Sequence, residues 1–162
     1  VEHQLEQLVE QRRGARADRR YLLRRRLVHR TVDRRVYRAG PNRGGDGVVV
    51  SNHGGRNLDG SMAPLEALPE IVDAVGKRIQ VIVDSGFRRG TDIFKALALG
   101  ATAVGVGRPY IWGLASFGQQ GVEAVLDILR RELQMVMRQA GTASIAHITR
   151  GHVITPDRPR TS

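Results

Sequence analysis

Gly47-Val48-Val49-Val50-Ser51-Asn52-His53-Gly54-Gly55-Arg56 is the stretch on which the reading of the chain turns. It opens with a β-branched run that is apolar on both faces. A strand of that kind is buried from both sides, as in a parallel sheet covered by helices. The stretch closes with a histidine and an arginine separated by two glycines. A loop directly after a parallel strand lies at the sheet edge where α/β barrels build their sites. Gly54 and Gly55 remove side-chain bulk there and permit backbone angles closed to most residues.

The residues that follow alternate between helix and strand patterns. Pro64 to Val75 has Leu65, Leu68, Ile71, Val72 and Val75 at helical spacing. Ile79 to Asp84 reads as a second strand. Thr91 to Leu99 reads as a helix with Ile93, Leu97 and Ala98 on one face, capped by Gly90 or Thr91 and ended by Gly100. Ala103 to Gly107 reads as a third strand, and Gly121 to Met137 as a long amphipathic helix. Such alternation with short links predicts an α/β fold of parallel strands with right-handed crossovers. Three βα units do not close an eight-stranded barrel, which takes about 250 residues.

Composition divides the 162 residues unevenly. The net charge of +10 suggests an anionic partner at first sight. Residues 1–45, however, hold 13 Arg, no Lys and 5 acidic residues, while the remaining residues carry a net charge of only +2. The chain thus reads as an Arg-rich segment over 1–45, a partial barrel over 46–152 and a tail over 153–162. A helix from Gln4 to Val28 would be interrupted by Gly14 and has a thin apolar stripe. The Arg-rich composition fits a nucleic-acid arm, or a disordered or frame-disrupted segment of GC-rich coding sequence. The abrupt change near Gly44-Gly45-Asp46 favours frame disruption, and the arm lacks the interleaved aromatics of nucleic-acid binders.

The chain has no cysteine, which removes disulfides and thiolate metal sites. No apolar run approaches the roughly 20 residues of a membrane span. Val1-Glu2-His3-Gln4 starts no apolar signal-peptide region, so a cytoplasmic location is expected. His147 and His152 have no acidic partner at ligand spacing, and no metal site is expected.

Three strand-end loops carry candidate chemistry. His53 can move a proton near neutral pH. Arg56 can grip a carboxylate through two parallel hydrogen bonds. In the second loop, Asp84-Ser85-Gly86-Phe87-Arg88-Arg89-Gly90, the N–H groups at the following helix start favour a phosphate, Arg88 or Arg89 adds charge, and Asp84 can accept from ligand hydroxyls. The third loop is Gly105-Val106-Gly107-Arg108-Pro109. Each alone also fits an ordinary turn with solvated arginines. Two successive strand ends bearing Gly and Arg match the usual barrel phosphate site. Trp112 and Tyr110 are expected to pack over the barrel face, and Asp46 and Asp59 to serve in turns.

SNHGGRNLDG (51–60), VDSGFRRGTDIFKALALGA (83–101) and VGVGRP (104–109), in this order and spacing, resemble the FMN-dependent 2-hydroxy-acid oxidising enzymes. That family includes glycolate oxidase, lactate oxidase, lactate 2-monooxygenase, flavin-dependent L-lactate dehydrogenase and mandelate dehydrogenase. The resemblance runs from about Asp46 to His152. It implies the last three units of a (β/α)8 TIM barrel that oxidises a small 2-hydroxy acid of the L-lactate or glycolate type. By position, His53 would be the catalytic base and Arg56 would bind the substrate carboxylate. Asp84, Ser85, Gly86, Arg88, Gly107 and Arg108 would hold FMN. The electron acceptor would be oxygen, a quinone or a cytochrome, and the assembly a homo-oligomer, a tetramer by family. The family's flavin-contacting Lys, on the strand before the His-bearing one, has no counterpart, nor have its second carboxylate-binding Arg and substrate tyrosines. The alternative is an inactive, truncated remnant of such an enzyme.

Overall fold

The computed structural model describes residues 27–31 (backbone only), 47–58, 60–75 and 78–155. Asp46, Asp59, the Arg34-Arg35 pair and all but the last two residues of the Gln4 to Val28 stretch lie outside them.

Four parallel strands form one sheet in the order β1 (Leu27–Thr31), β2 (Gly47–Ser51), β3 (Gln80–Val83) and β4 (Ala103–Val104). Helix α1 (Pro64–Val75) links β2 to β3, α2 (Gly90–Ala98) links β3 to β4, and α3 (Arg108–Gln139) follows β4. These are the three expected βα units with one further strand before them. The register sets Thr31 opposite Ser51, Val50 opposite Val83, and Val83 opposite Val104. The Asp84 N–H donates to Val50 O (3.1 Å) and the Gly105 N–H to Val83 O (2.8 Å), carrying the ladder one step beyond the strands. The C-terminal ends of β2, β3 and β4 therefore stop at one level.

Alternation fixes which face is covered. Val48 and Val50 of β2 and Val81 and Val83 of β3 are buried in one cluster with Ala67, Leu68, Ile71 and Val75 of α1. Phe87, Ala96, Leu99 and Ala101 complete it. Burying such aliphatic side chains contributes about 1.5–3 kcal/mol each. Val49 and Ile82, paired in register, point to the opposite face and are half-buried. Arg78 closes the end of α1, its Nε donating to Val75 O (3.0 Å) and its guanidinium to Ala74 O (2.9 Å). A second cluster joins Phe94 and Ala98 of α2 to Leu133, Val136 and Met137 of α3 and to Ile148.

Three expectations need correction. The third strand, expected over Ala103 to Gly107, pairs only at Ala103–Val104. Its neighbour β3 ends at Val83, so beyond the Gly105 N–H the residues of this stretch have no ladder to join. Leu27–Thr31, inside the Arg-rich segment, is a strand. Only two of its five residues are apolar, and its state comes from pairing with β2. The expected helix over Gly121 to Met137 lies in the second arm of α3, but a first arm from Arg108 precedes it across a break at Phe117 (φ −141°, ψ 19°) and Gly118 (φ 59°, ψ −140°). Ile111, Trp112, Leu114 and Phe117 in its first arm are exposed, so no buried stripe marks that arm in the sequence.

The bend folds the two arms of α3 together. A Cβ at Gly121 would collide with the backbone of Gly113, and one at Gly113 with Gly121 O. We expect Gly121→Val to cost about 1–3 kcal/mol through this overpacking. Leu68→Ala, at a side chain with no exposure, should cost about 2–5 kcal/mol through the cavity it leaves. Urea unfolding of the two variants measures both, and a loss below ~0.5 kcal/mol at either would contradict the packing described.

Candidate functional site

Because the strands end level, their loops meet. Ser85 lies at the centre, held at a left-handed φ of 76°, which a non-glycine residue adopts only against strain. Its Oγ accepts from the Asn52 N–H (3.3 Å) and the Gly54 N–H (3.1 Å) and donates to Asp84 Oδ1 (2.8 Å). Between those two amides, the His53 N–H donates to Ser51 Oγ (3.1 Å). His53 is itself left-handed, with φ 54°. Asn52 closes the turn by accepting from the Gly55 N–H on both its carbonyl and its Oδ1 (3.0 Å each), while its Nδ2 donates to Met62 O (3.3 Å). Ser51 and Asn52 are buried; His53 and Arg56 are exposed.

The third loop joins the same cluster. The Arg108 guanidinium donates to Gly54 O (3.2 Å), and a Cβ on Gly54 would lie 2.5 Å from that guanidinium nitrogen. Gly54 is thus favoured by its φ of 73°, while a Cβ there would displace the flexible end of Arg108 from Gly54 O. Gly105 packs equally close to the second loop, its Cβ position lying 2.9 Å from Asp84 Cβ. His53, Asp84, Ser85 and Arg108 are in this way gathered at one end of the sheet, on three different loops.

The two candidate anion sites differ sharply. At the start of α2 the donors are already taken. Asp92 Oδ2 accepts from the N–H groups of Arg88 and Arg89 (both 3.0 Å). Glu132, from α3, accepts from the Gly90 N–H (2.8 Å) and from the Arg89 guanidinium (2.8 Å). The expectation of a phosphate on those amides is therefore corrected: two carboxylates of the chain itself fill the place. The Gly90 N–H first, and the Arg89 guanidinium second, hold the Glu132 carboxyl below its ordinary value.

At the start of α3 the donors remain available. Among the described residues, no group accepts from the N–H of Gly107 or Arg108. The Gly107 and Gly86 backbones face open space, with nothing within 4 Å of an added Cβ. Arg108 and Arg88 are exposed cations on the same side. Helix-start amides beside two guanidinium groups and two bare backbones are a donor set suited to a phosphate ester. The residues present thus fit a phosphate-bearing cofactor at Gly86, Arg88, Gly107 and Arg108. Asp84, half-buried, accepts from Ser85 on one carboxylate oxygen, and a ligand hydroxyl could donate to the other.

Trp112, expected to pack over the barrel face, instead pairs with a cation, a contact the sequence patterns did not indicate. Its indole lies under the Arg88 guanidinium, 4.7 Å from ring centroid to Cζ, and is half-exposed. An exposed pair of this kind contributes about 0.5–1 kcal/mol and limits where the arginine points. Its one sequence cue is its place a helical turn after Arg108. His147 and His152 take local roles. His147 Nδ1 bonds Ser144 Oγ (3.0 Å), and His152 packs edge-on against Phe94 with ring centroids 6.0 Å apart. The strand before the His53 strand, Leu27–Thr31, contains no Lys.

Known proteins resemble this chain in sequence and fold. The family model described as FMN-dependent dehydrogenase matches residues 11–155, reaching well into the Arg-rich segment. A peroxisomal (S)-2-hydroxyacid oxidase of Arabidopsis thaliana is 54% identical over 112 residues, covering 69% of this chain and 31% of the relative. An L-lactate oxidase of Nostoc sp. is 54% identical over 105 residues, covering 65% of this chain and 29% of the relative. A solved mandelate oxidase variant with a monooxide FMN adduct superposes with a TM-score of 0.73 and 44% identity, covering 76% of this chain and 40% of that one. The chain spans 31% and 29% of the lengths of these two curated relatives, and its fold is part of a TIM barrel.

The Glu132 contacts carry a pH signature. A carboxyl whose pKa is lowered on folding adds stability above its unfolded pKa. That stability is lost as pH falls through the lowered folded value. Thermal midpoints measured from about pH 7 down to about pH 3 should fall less steeply for Glu132→Gln than for the unsubstituted chain. Parallel curves would show that the Gly90 and Arg89 contacts contribute nothing.

Proposed function

The chain belongs to the FMN-dependent dehydrogenase family, and on that premise we propose that its strand-end loops serve the oxidation of a small 2-hydroxy acid to the 2-oxo acid. The substrate is of the L-lactate or glycolate type. Oxygen is the electron acceptor favoured among oxygen, a quinone and a cytochrome, because the relatives are named oxidases. Losing two electrons and two protons turns the C2 alcohol into a carbonyl, a ketone from lactate and an aldehyde from glycolate; one proton goes to the base, and the other leaves with the electron pair or to water. His53 takes one of those protons, from C2 or from the hydroxyl on it. Arg56 holds the carboxylate, and so fixes which face of C2 is presented. Asp84, Gly86, Arg88, Gly107 and Arg108 hold the cofactor's hydroxyls and phosphate. FMN, when bound, supplies the two-electron sink.

The observation that supports this reading most is the junction of the three loops. The loop bearing His53 rests on the loop bearing Asp84 through the Ser85 hydroxyl, and on the loop bearing Arg108 through Gly54 O. An ordinary set of surface turns has no need of such mutual support. It sets His53 and Arg56 on the same end of the sheet as Gly107 and Arg108, which supports reading them as proton acceptor, carboxylate clamp and phosphate donors. No helix among the described residues is long and apolar enough to cross a membrane. A cytoplasmic location is proposed, although the Arabidopsis relative is named as peroxisomal, and the assembly is proposed as a homo-oligomer.

The test is a titration of the purified chain with FMN, followed by anaerobic addition of L-lactate or glycolate. Flavin should bind and bleach. His53→Ala should abolish bleaching with FMN affinity retained, and bleaching at the unsubstituted rate would overturn the assignment of the base. Arg56→Ala should weaken hydroxy-acid binding by about a hundredfold, the worth of a bidentate charged pair. Arg108→Ala should weaken FMN at least ~10-fold. A chain that takes up no FMN would instead favour the inactive remnant.

A further inference from the structure

The resemblance implies that Ser85 holds FMN, but the hydrogen bonds of its hydroxyl leave no room for the side chain to do so. A serine hydroxyl has one proton to give and two lone pairs. Ser85 gives its proton to Asp84 Oδ1 at 2.8 Å. Its lone pairs accept from the Asn52 N–H and the Gly54 N–H at 3.3 and 3.1 Å. The Ser51 hydroxyl, 3.5 Å away, is a marginal neighbour at best. The Ser85 hydroxyl is saturated by the chain itself.

Its two amide partners flank His53. The intervening His53 N–H is held by Ser51 Oγ. Three consecutive N–H groups thus end on two serine hydroxyls, one from the end of β2 and one from the loop after β3. Successive amides turned to one side, with left-handed residues among them, form a concavity that otherwise attracts an anion. Here neutral hydroxyls fill it from within. That keeps the loop's donors from capturing the substrate carboxylate or the cofactor phosphate on the wrong atoms. It also fixes the backbone at His53, whose φ of 54° is strained and needs external support.

We infer that Ser85 is a positioning residue for His53, and that its hydroxyl joins the substrate loop to the cofactor loop without touching the cofactor. This rests on the proposed function for its consequence in catalysis, but the geometry it asserts is independent of it. The left-handed φ of Ser85 makes the distinction testable. At φ 76° glycine is the residue best suited to the backbone, so Ser85→Gly removes the hydroxyl while relieving strain. A serine that mattered only as a turn residue would be replaced there without loss.

The experiment is amide hydrogen exchange on the unsubstituted chain and on Ser85→Gly, with FMN affinity and anaerobic flavin reduction measured on the same samples. Exchange at Asn52 and Gly54 should accelerate at least about tenfold, the worth of one net hydrogen bond. The Gly105 amide, bonded to Val83 O, should keep its rate. FMN affinity should change less than about threefold, and flavin reduction at saturating hydroxy acid should slow about tenfold or more, the cost of a misplaced base. Unchanged exchange at Asn52 and Gly54 would overturn the inference, and so would a tenfold loss of FMN affinity with exchange unchanged. If no hydroxy acid reduces flavin on the unsubstituted chain, the proposed function falls, while the exchange rates still decide the role of Ser85.

Discussion

Parallel pairing of β2 with β3, in the register that sets Val50 opposite Val83, is the constraint on which the rest depends. It brings the residues after the two strands to the same height, Ser51-Asn52 on one and Asp84-Ser85 on the other. A slip of one residue would turn Val81 and Val83 out of the helix-covered core and carry the Ser85 hydroxyl away from the amides beside His53. The same apolar contacts that bury Leu68 and Ile71 against Val50 and Val83 therefore set the distances at the site. Packing free energy is spread over many side chains, whereas the site needs only a few atoms within hydrogen-bond reach. The register converts the first into the second.

What could be read from the sequence followed from how local each signal was. The β-branched run at Gly47 to Ser51 and the helical spacing of Leu65, Leu68, Ile71, Val72 and Val75 are self-contained, and both elements lie where the patterns put them. Leu27–Thr31 was not legible because a strand with His and Arg among five residues has no period of its own and is defined by its neighbour. The first arm of α3 was hidden for a related reason. Ile111, Trp112, Leu114 and Phe117 are exposed, so their spacing describes no core face. At the site, the grouping of three Gly-bearing, charged loops was visible because each directly follows a strand. Their division of labour was not. That Glu132 reaches the start of α2 is a contact across 42 residues, invisible to any local pattern.

Electrostatics then separates the two helix starts, which look alike in sequence. Each follows a strand, each has glycine near its first turn, and each is flanked by arginine. The difference lies in which acids can reach them. Asp92 is three residues after Arg89 and folds back onto the N–H groups of Arg88 and Arg89. Glu132 arrives from the second arm of α3 because the packing of Phe94 and Ala98 against Leu133 and Val136 holds that arm alongside α2. The start of α3 has no acid in its first turn, and Pro109 there has no N–H to satisfy. One helix start is thereby made a structural joint, while the first amides of the other meet no acceptor among the described residues.

The joint at α2 also shapes the open site. With Arg89 engaged by Glu132, Arg88 is the cation of the pair that remains for the strand-end face, and the Trp112 ring under it limits its sweep. Trp112 belongs to the first arm of α3, the helix whose start carries Gly107 and Arg108. The Arg88 side chain is thus referred to the same helix that presents the Gly107 and Arg108 amides. Arg108 extends the linkage to Gly54 O, and Ser85 closes it through the amides on either side of His53. His53, Arg88 and Arg108 stand on three separate loops, yet each loop is tied to a neighbour by a contact of its own. Precision at such a site comes from these mutual ties, because none of the loops is long enough to hold a fixed shape alone.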